Sequence, residues 1–318
     1  MVNKKIVCLG GGIGTVNLIK GLKKYFGNIA VIVSMADDGG SSGRLRRLYN
    51  ISPPGDLVSC MAAFTKGKGS YLSELLTYRF AGNRYGEDSE LSGQKLGNLI
   101  MVAMRDITGS FDKAISLFQN TFGVKGVFLP ATLQSVNISA ETVEGKRIYG
   151  ETKIDLGKYS GKRILERVFL EPENIKANPR VIKNIQTSDI IIAGPGDLYT
   201  TILPVLIVPG IKEALQKSHA LKIFVVNVAN KPFETKGYGV DDYINALKKH
   251  LGYFPFGIVI ANNNLTPKIP KKYNYSYVDG NHVVSNNEFQ IIKRDIIDEN
   301  FPLYHSSIKL AKTILENI

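Results

Sequence analysis

An apolar run over residues 5–9 stops at Gly10-Gly-Gly-Ile-Gly14, gives way to a helical pattern over 15–26, and resumes as a fully apolar run over 29–34. A strand that ends at glycines, restarts as a helix and returns as a strand is a βαβ unit, whose crossover is right-handed. The second run has no alternation, which fits a parallel sheet covered on both faces. This opening constrains the chain to an α/β fold, and it predicts three αβα layers around a mainly parallel sheet.

The rest of the chain keeps that rhythm with one interruption. Residues 36–110 read as loops and helices, the best helical runs being 72–80 and 96–107, with a polar, mobile loop at 81–95. A helix over 111–121 and a strand over 126–129 follow. Residues 134–156 alternate instead, with Glu144-Gly145-Lys146 as a hairpin tip and 148–154 as the return strand. That predicts a small antiparallel excursion, a β-ribbon inserted in one domain spanning 1–318. Helices are then expected at 179–185, 241–251 and 306–318, and strands at 189–193, 221–228 and 256–261.

At 318 residues the chain can bury a substantial core. Its net charge of +12 suits anionic partners such as nucleotides, phosphates, nucleic acid or acidic membrane. The basic residues are scattered and not interleaved with aromatics, so nucleic acid is not an expected partner. Cys8 and Cys60 form no CxxC pair, which argues against a disulfide framework or a zinc site and for the cytoplasm. The early strand pattern leads to the expectation of no secretory leader. The longest apolar stretch, 202–211, is short and broken by Pro204, Pro209 and Gly210, so no membrane insertion is expected.

Polar loops rich in Gly, Asp and Asn follow the predicted strands at 10–14, 36–43, 194–197 and 227–230. In an open α/β sheet, ligands bind outside the carboxyl ends of the strands. The first loop is neither G-x-G-x-x-G nor a Walker A motif. Gly11, Gly12, Gly14 and Thr15 remain as an anion nest at a helix N-terminus, where free N–H groups and the helix dipole favour a phosphate. In the second loop, Asp37 and Asp38 suit Mg²⁺, a general base or a contact to a sugar hydroxyl. The alternative is an Asx-turn with solvated carboxylates. Gly39, Gly40, Ser41 and Ser42 extend that loop, with Arg44 and Arg46 behind it. Asp56 stands near a helix start, where an N-cap is the plain reading. Gly97-Asn98 opens an apolar helix, and Asn98 is read either as a ligand contact or as part of an ordinary helix turn. Gly194, Gly196, Asp197, Tyr199 and Thr200 suggest a second phosphate pocket. Asn227 can donate and accept to a base or sugar. Tyr238 suits stacking on a base or ordinary packing. The four histidines, His219, His250, His282 and His305, show no metal spacing and are assigned no catalytic role.

These segments carry a resemblance. Gly10-Gly-Gly-Ile-Gly14, Ala36-Asp-Asp-Gly-Gly-Ser-Ser-Gly-Arg-Leu-Arg46, Pro53-Pro-Gly-Asp56, Gly97-Asn98, Ala193-Gly-Pro-Gly-Asp-Leu-Tyr-Thr200 and Asn227 through Glu234, Tyr238 and Asp241 resemble the YvcK branch of the YvcK/CofD-like family, in the family's order. The resemblance implies a Rossmann-like αβα fold and a cytoplasmic bacterial protein. In the YvcK branch it implies binding of a UDP-sugar such as UDP-N-acetylglucosamine, or a related phosphorylated nucleotide, and a regulatory link to cell shape and to growth on gluconeogenic carbon sources. Protein partners in cell-envelope metabolism and a homo-oligomer fit that role. In the CofD branch it implies a Mg²⁺-dependent phospholactyl-type transfer, with Asp37 or Asp38 on the metal. Whether this chain turns a substrate over is left open by the residues themselves. Ile13 stands where Thr is usual and Phe233 where Gly is common, and the chain after Leu265 matches weakly.

Overall fold

The computed structural model describes residues 2–65, 71–87, 90–162, 164–280 and 282–318. Asp88 and Ser89, inside the loop expected at 81–95, lie outside the described residues. Among the described residues the strands are β1 (Val2–Gly10), β2 (Phe26–Val33), β3 (Val127–Pro130), β4 (Asn137–Thr142), β5 (Arg147–Tyr149), β6 (Leu165–Glu171), β7 (Ile190–Ala193), β8 (Leu221–Val225), β9 (Ala229–Asn230), β10 (Ile258–Asn262), β11 (Ser276–Tyr277) and β12 (Gln290–Arg294). The first six helices are α1 (Gly12–Leu22), α2 (Gly40–Tyr49), α3 (Gly55–Ala62), α4 (Tyr71–Thr77), α5 (Leu96–Thr108) and α6 (Phe111–Thr121). The other six are α7 (Glu151–Asp155), α8 (Pro179–Gln186), α9 (Leu203–Leu206), α10 (Ile211–Lys217), α11 (Val240–Leu251) and α12 (Ser307–Leu315). A π-turn, Leu198–Ile202, leads into α9.

The main sheet has the order β12-β10-β8-β7-β1-β2-β3, and every neighbouring pair in it is parallel. Its middle strands are apolar because helices cover both faces: Ile6–Leu9 and Ile190–Ala193 are all buried. The chain starts in the middle at β1, builds outward through β2 and β3, then returns to β7 on the other side of β1. The order therefore reverses between β1 and β7. At such a switch point the two following loops diverge and leave a crevice beyond the strand ends. The loops are 10–14 after β1 and 194–197 after β7.

The antiparallel excursion exists as a three-stranded sheet, β5-β4-β6. Its return strand is shorter than the alternation predicts. Gly150, at φ +96, ends β5, and residues 151–155 coil into α7 in place of the expected strand to 154. The strand β6 was not foreseen, although it pairs β4 from Asn137↔Glu171 to Thr142↔Leu165. The first helix also differs from its pattern. It begins at Gly12 and ends at Leu22, and Phe26 opens β2 beside Val2. The apolar period runs on through Tyr25 and Phe26 because both side chains pack on the same core, whatever the backbone does. The edge strand β12 reads Gln-Ile-Ile-Lys-Arg, too polar to stand out as a strand, as edge strands commonly are.

No single helix among the described residues is long and apolar enough to cross a membrane. One bent pair, Leu198–Leu206 with Ile211–Lys217, passes by length and composition alone. Its apolar side chains, among them Leu198, Leu203, Leu206, Ile211 and Leu215, are buried in the core.

Candidate functional site

The crevice at the switch point is a cleft of about 330 Å³. Two loops close its floor through glycines that have no room for a side chain. A Cβ on Gly11 would lie 2.1 Å from Asp56 Oδ2, and one on Gly14 would lie 2.5 Å from the Pro195 carbonyl oxygen. The first turn of α1 points into the space, and the opening N–H groups of a helix have no partner within it. The Gly12 N–H donates to Asp56.

Of the residues singled out in the sequence, Gly11, Gly12, Gly14, Asp37 and Gly39 line this cleft from one side. Gly196, Asp197, Thr200 and Asn227 line it from the other, and Asp56 lines it as well. The other candidate ligand residues lie behind its surface. Thr15 is buried, with Oγ1 donating to the Pro195 carbonyl at 3.4 Å. Gly40, Ser41 and Ser42 are buried in the first turn of α2, where Ser41 Oγ accepts from Arg79 at 3.1 Å. Asn98 is fully buried in the first turn of α5, and neither of its amide atoms has a hydrogen-bond partner among the described residues. Gly194 is packed against β8, so that a Cβ there would meet the Val225 carbonyl at 2.6 Å. Tyr199 and Tyr238 share a hydroxyl–hydroxyl hydrogen bond of 2.9 Å in an aromatic cluster with Tyr243. Packing, the second of the two readings for Tyr238, is what the structure has.

The acidic loop divides its two aspartates. Asp38 Oδ1 accepts from both the N–H and the hydroxyl of Thr152 at 2.9 Å, which ties the loop to α7. Asp37 accepts from the Gly39 N–H at 2.8 Å and faces the cleft. Burial, then the charge of Asp56, push its carboxyl up to about 7; the charge of Asp38 adds a smaller push. Asp56 is itself raised by burial, against the pull of Lys95 and the Gly12 N–H. Glu151, at the start of α7, is raised well above the usual carboxylate range by burial and then by Asp37. Asp56 thus raises Asp37 and Asp37 raises Glu151; a divalent cation relieves repulsion of this kind, and carboxylate oxygens are the donors Mg²⁺ prefers. Asp37 and Asp56 both line the cleft, whereas Asp38 Oδ1 is engaged by Thr152.

The opposite wall is built around Lys231. Its ammonium contacts Asp155 Oδ1 and lies 2.8 Å from Asp197 Oδ2 and 3.8 Å from Glu234 Oε1. Burial works against its charge, but Asp197, Glu234 and Asp155 together hold its pKa well above the ordinary lysine value. Glu234 is buried, and its carboxylate accepts from the Tyr199 N–H at 3.1 Å and the Thr200 hydroxyl at 2.7 Å. The N-terminus of the 198–206 helical run, read from sequence as a second phosphate pocket, therefore has a protein carboxylate on two of its donors. Tyr275, Tyr304 and His305 complete the lining from the C-terminal segment. His305 Nε2 bonds the Val226 carbonyl at 3.0 Å, and burial pushes its pKa down to about 4.

Sequence reasoning missed Arg84, Glu151, Asp155, Lys231, Tyr275, Tyr304 and His305. None carries a local signal, since each reaches the cleft from a segment remote in the chain. The cleft's carboxylates also show that the chain's excess of positive charge is located elsewhere. Anion attraction here rests on backbone N–H groups and a few placed cations.

Residues 6–301 match the sequence profile of the family described as 2-phospho-L-lactate transferase CofD. The "Gluconeogenesis factor" of Bacillus subtilis is 41% identical over 270 residues, covering 85% of this chain and 82% of that protein. The "Gluconeogenesis factor" of Halalkalibacterium halodurans is 35% identical over 322 residues, covering 99% of this chain and 97% of that one. A crystal structure of a UPF0052 family member from Bacillus halodurans superposes with a TM-score of 0.87 at 33% identity, covering 99% of both chains. The match along almost the whole chain and the shared α/β architecture lead to one conclusion: the chain belongs to the YvcK/CofD-like family.

Proposed function

We propose that this protein binds a UDP-sugar, or a related phosphorylated nucleotide, in the switch-point cleft and acts in the cytoplasm as a regulator. The observation that carries the reading is the α1 N-terminus, whose N–H groups open into the cleft beside the Asp37–Asp56 pair. The N–H groups suit a phosphate. The carboxylates repel one unless a divalent cation offsets their charge; Asp37 and Asp56 would hold Mg²⁺, which would supply that charge neutralisation. Arg84 and Lys231 add fixed positive charge, while Asn227, Tyr275 and Tyr304 offer the mixed polar and aromatic surface that a base or sugar needs. From relatives named gluconeogenesis factor we carry over a link to gluconeogenic growth, and from the YvcK resemblance a link to cell shape through protein partners.

A second reading, the Mg²⁺-dependent group transfer of the CofD name, is favoured by Asp37. A carboxyl held at about 7 sits where a general base operates near neutral pH.

Calorimetry with UDP-N-acetylglucosamine, UDP-glucose, GTP and NADH, with and without Mg²⁺, tests the first reading, and mass spectrometry of the same mixtures tests the second. Preference for a UDP-sugar without product supports the regulator. A product that disappears in Asp37→Asn makes the protein an enzyme, and preference for NADH overturns both.

A further inference from the structure

Asp155, Asp197 and Glu234 come from three separate places: the end of α7, the loop after β7 and the turn after β9. One oxygen from each lies within 4.8 Å of the others. That arrangement of hard oxygens suits a divalent cation, yet a cation of the chain's own already sits there. Lys231 Nζ contacts Asp155 Oδ1, is 2.8 Å from Asp197 Oδ2 and 3.8 Å from Glu234 Oε1. The side chains of Lys231, Asp155 and Glu234 are 17%, 16% and 0% exposed, and Asp197, at 38%, is the open side of the cluster, so the lysine is held in a built contact and is not a surface tail at rest. An ammonium carries three donors, and three acceptors surround it.

We propose that Lys231 determines where the cleft takes a divalent cation: it is a tethered counter-ion that closes the Asp155–Asp197–Glu234 cage to metal. It deepens the functional reading above, in which Mg²⁺ goes to Asp37 and Asp56, and it depends on that reading only for this consequence. Glu234 gives the choice of a lysine a structural reason. Its carboxylate holds the Tyr199 N–H and the Thr200 hydroxyl, which fix the first turn of the helical run along the cleft. Lys231 draws on Glu234 from 3.8 Å and leaves both bonds in place. Metal–oxygen bonds of ~2.1 Å for Mg²⁺ would compete directly for the same lone pairs. The lysine also keeps a positive charge on this wall that no chelator removes.

The test is a count of bound Mn²⁺ by electron paramagnetic resonance, in the unmodified chain and in three variants. Lys231→Met keeps the length of the side chain and removes the charge. It is expected to bind one Mn²⁺ more than the unmodified chain. Lys231→Arg keeps the charge and should gain none. Adding Asp155→Asn to Lys231→Met should weaken the gained site by about tenfold or more. A folded Lys231→Met protein with an unchanged count overturns the proposal. If that variant unfolds without metal, thermal unfolding decides: recovery of the transition by Mn²⁺, reversed by EDTA, supports the cage, and no recovery sinks it. The baseline count in the unmodified chain bears on Asp37 and Asp56 alone. A baseline of zero with a gain of one refutes the metal part of the functional reading and leaves Lys231 as the residue that excludes metal from the cage.

Discussion

Lowering the pH should weaken the fold through His305, and the size of that effect can be worked out from its surroundings. The ring is buried and its Nε2 bonds the Val226 carbonyl, so the neutral form donates from Nε2 and leaves Nδ1 without a proton. Burial depresses the folded-state pKa from 6.5 to about 4. Between those values the unfolded chain binds a proton that the folded chain refuses. Stability from this group is therefore complete above about pH 6.5 and is lost as pH falls towards 4. The full loss is about 3 kcal/mol, of which roughly 2 kcal/mol is gone by pH 5. Asp37 opposes it. Its folded-state value, about 7, means that acidification lets the folded protein take up a proton first and gains stability. The raw pH profile mixes both signs, so the useful quantity is a difference. Urea unfolding of the unmodified chain and of His305→Gln is measured at pH 7.5 and pH 5. Glutamine retains a donor towards Val226 but does not titrate. The unmodified chain should lose about 2 kcal/mol more than the variant over that interval. Equal changes in the two proteins would refute the assignment of a buried, neutral ring.

Three further outcomes follow from contacts around the site. Gly21→Ala places a Cβ 2.0 Å from the Ser307 carbonyl, where α1 meets α12. Overpacking of about 1–3 kcal/mol then outweighs the ~1 kcal/mol helix-propensity gain, and the thermal midpoint should fall. Gly14→Ala, with its Cβ 2.5 Å from the Pro195 carbonyl, should push the two floor loops apart and weaken ligand binding in calorimetry by more than it lowers the melting temperature. Asp56→Asn removes one of two facing carboxylates: Mg²⁺-dependent ligand binding should drop at least about tenfold, while apo stability rises because Asp37 loses the charge that Asp56 set against it. An Asp56→Asn protein that binds ligand with unaltered Mg²⁺ dependence would show that Asp56 does not hold the metal.

The parallel-sheet fold was legible because its signals are local. A strand buried on both faces has to be apolar throughout, and a chain that must turn tightly beside a helix N-terminus has to use glycine, so residues 5–34 announce a βαβ unit by themselves. For the same reason the loops at 10–14, 36–43, 194–197 and 227–230 could be placed near one end of a sheet before any coordinates. What lay out of reach was every relation between distant segments. The strand β6 exists as a strand because β4 is beside it, and Phe26 opens a strand although its apolar spacing continues a helix. The site divides along the same line. Sequence could mark Asp37 and Asp38 as a pair of carboxylates, but adjacency in the chain sends neighbouring side chains in different directions. One meets Thr152, and the other turns to the cleft that Asp56 also lines. Likewise the free N–H groups after β7 looked available for phosphate until Glu234, more than thirty residues on, was found bonded to Tyr199 and Thr200. Short-range sterics and burial write the elements into the sequence, whereas electrostatic partners within a few ångströms are chosen by the closed fold. The sequence by itself therefore determined the kind of fold and the end of the sheet where the polar loops gather. The tertiary structure alone decided which carboxylates face one another, which cation each one keeps, and which donors are left for a ligand.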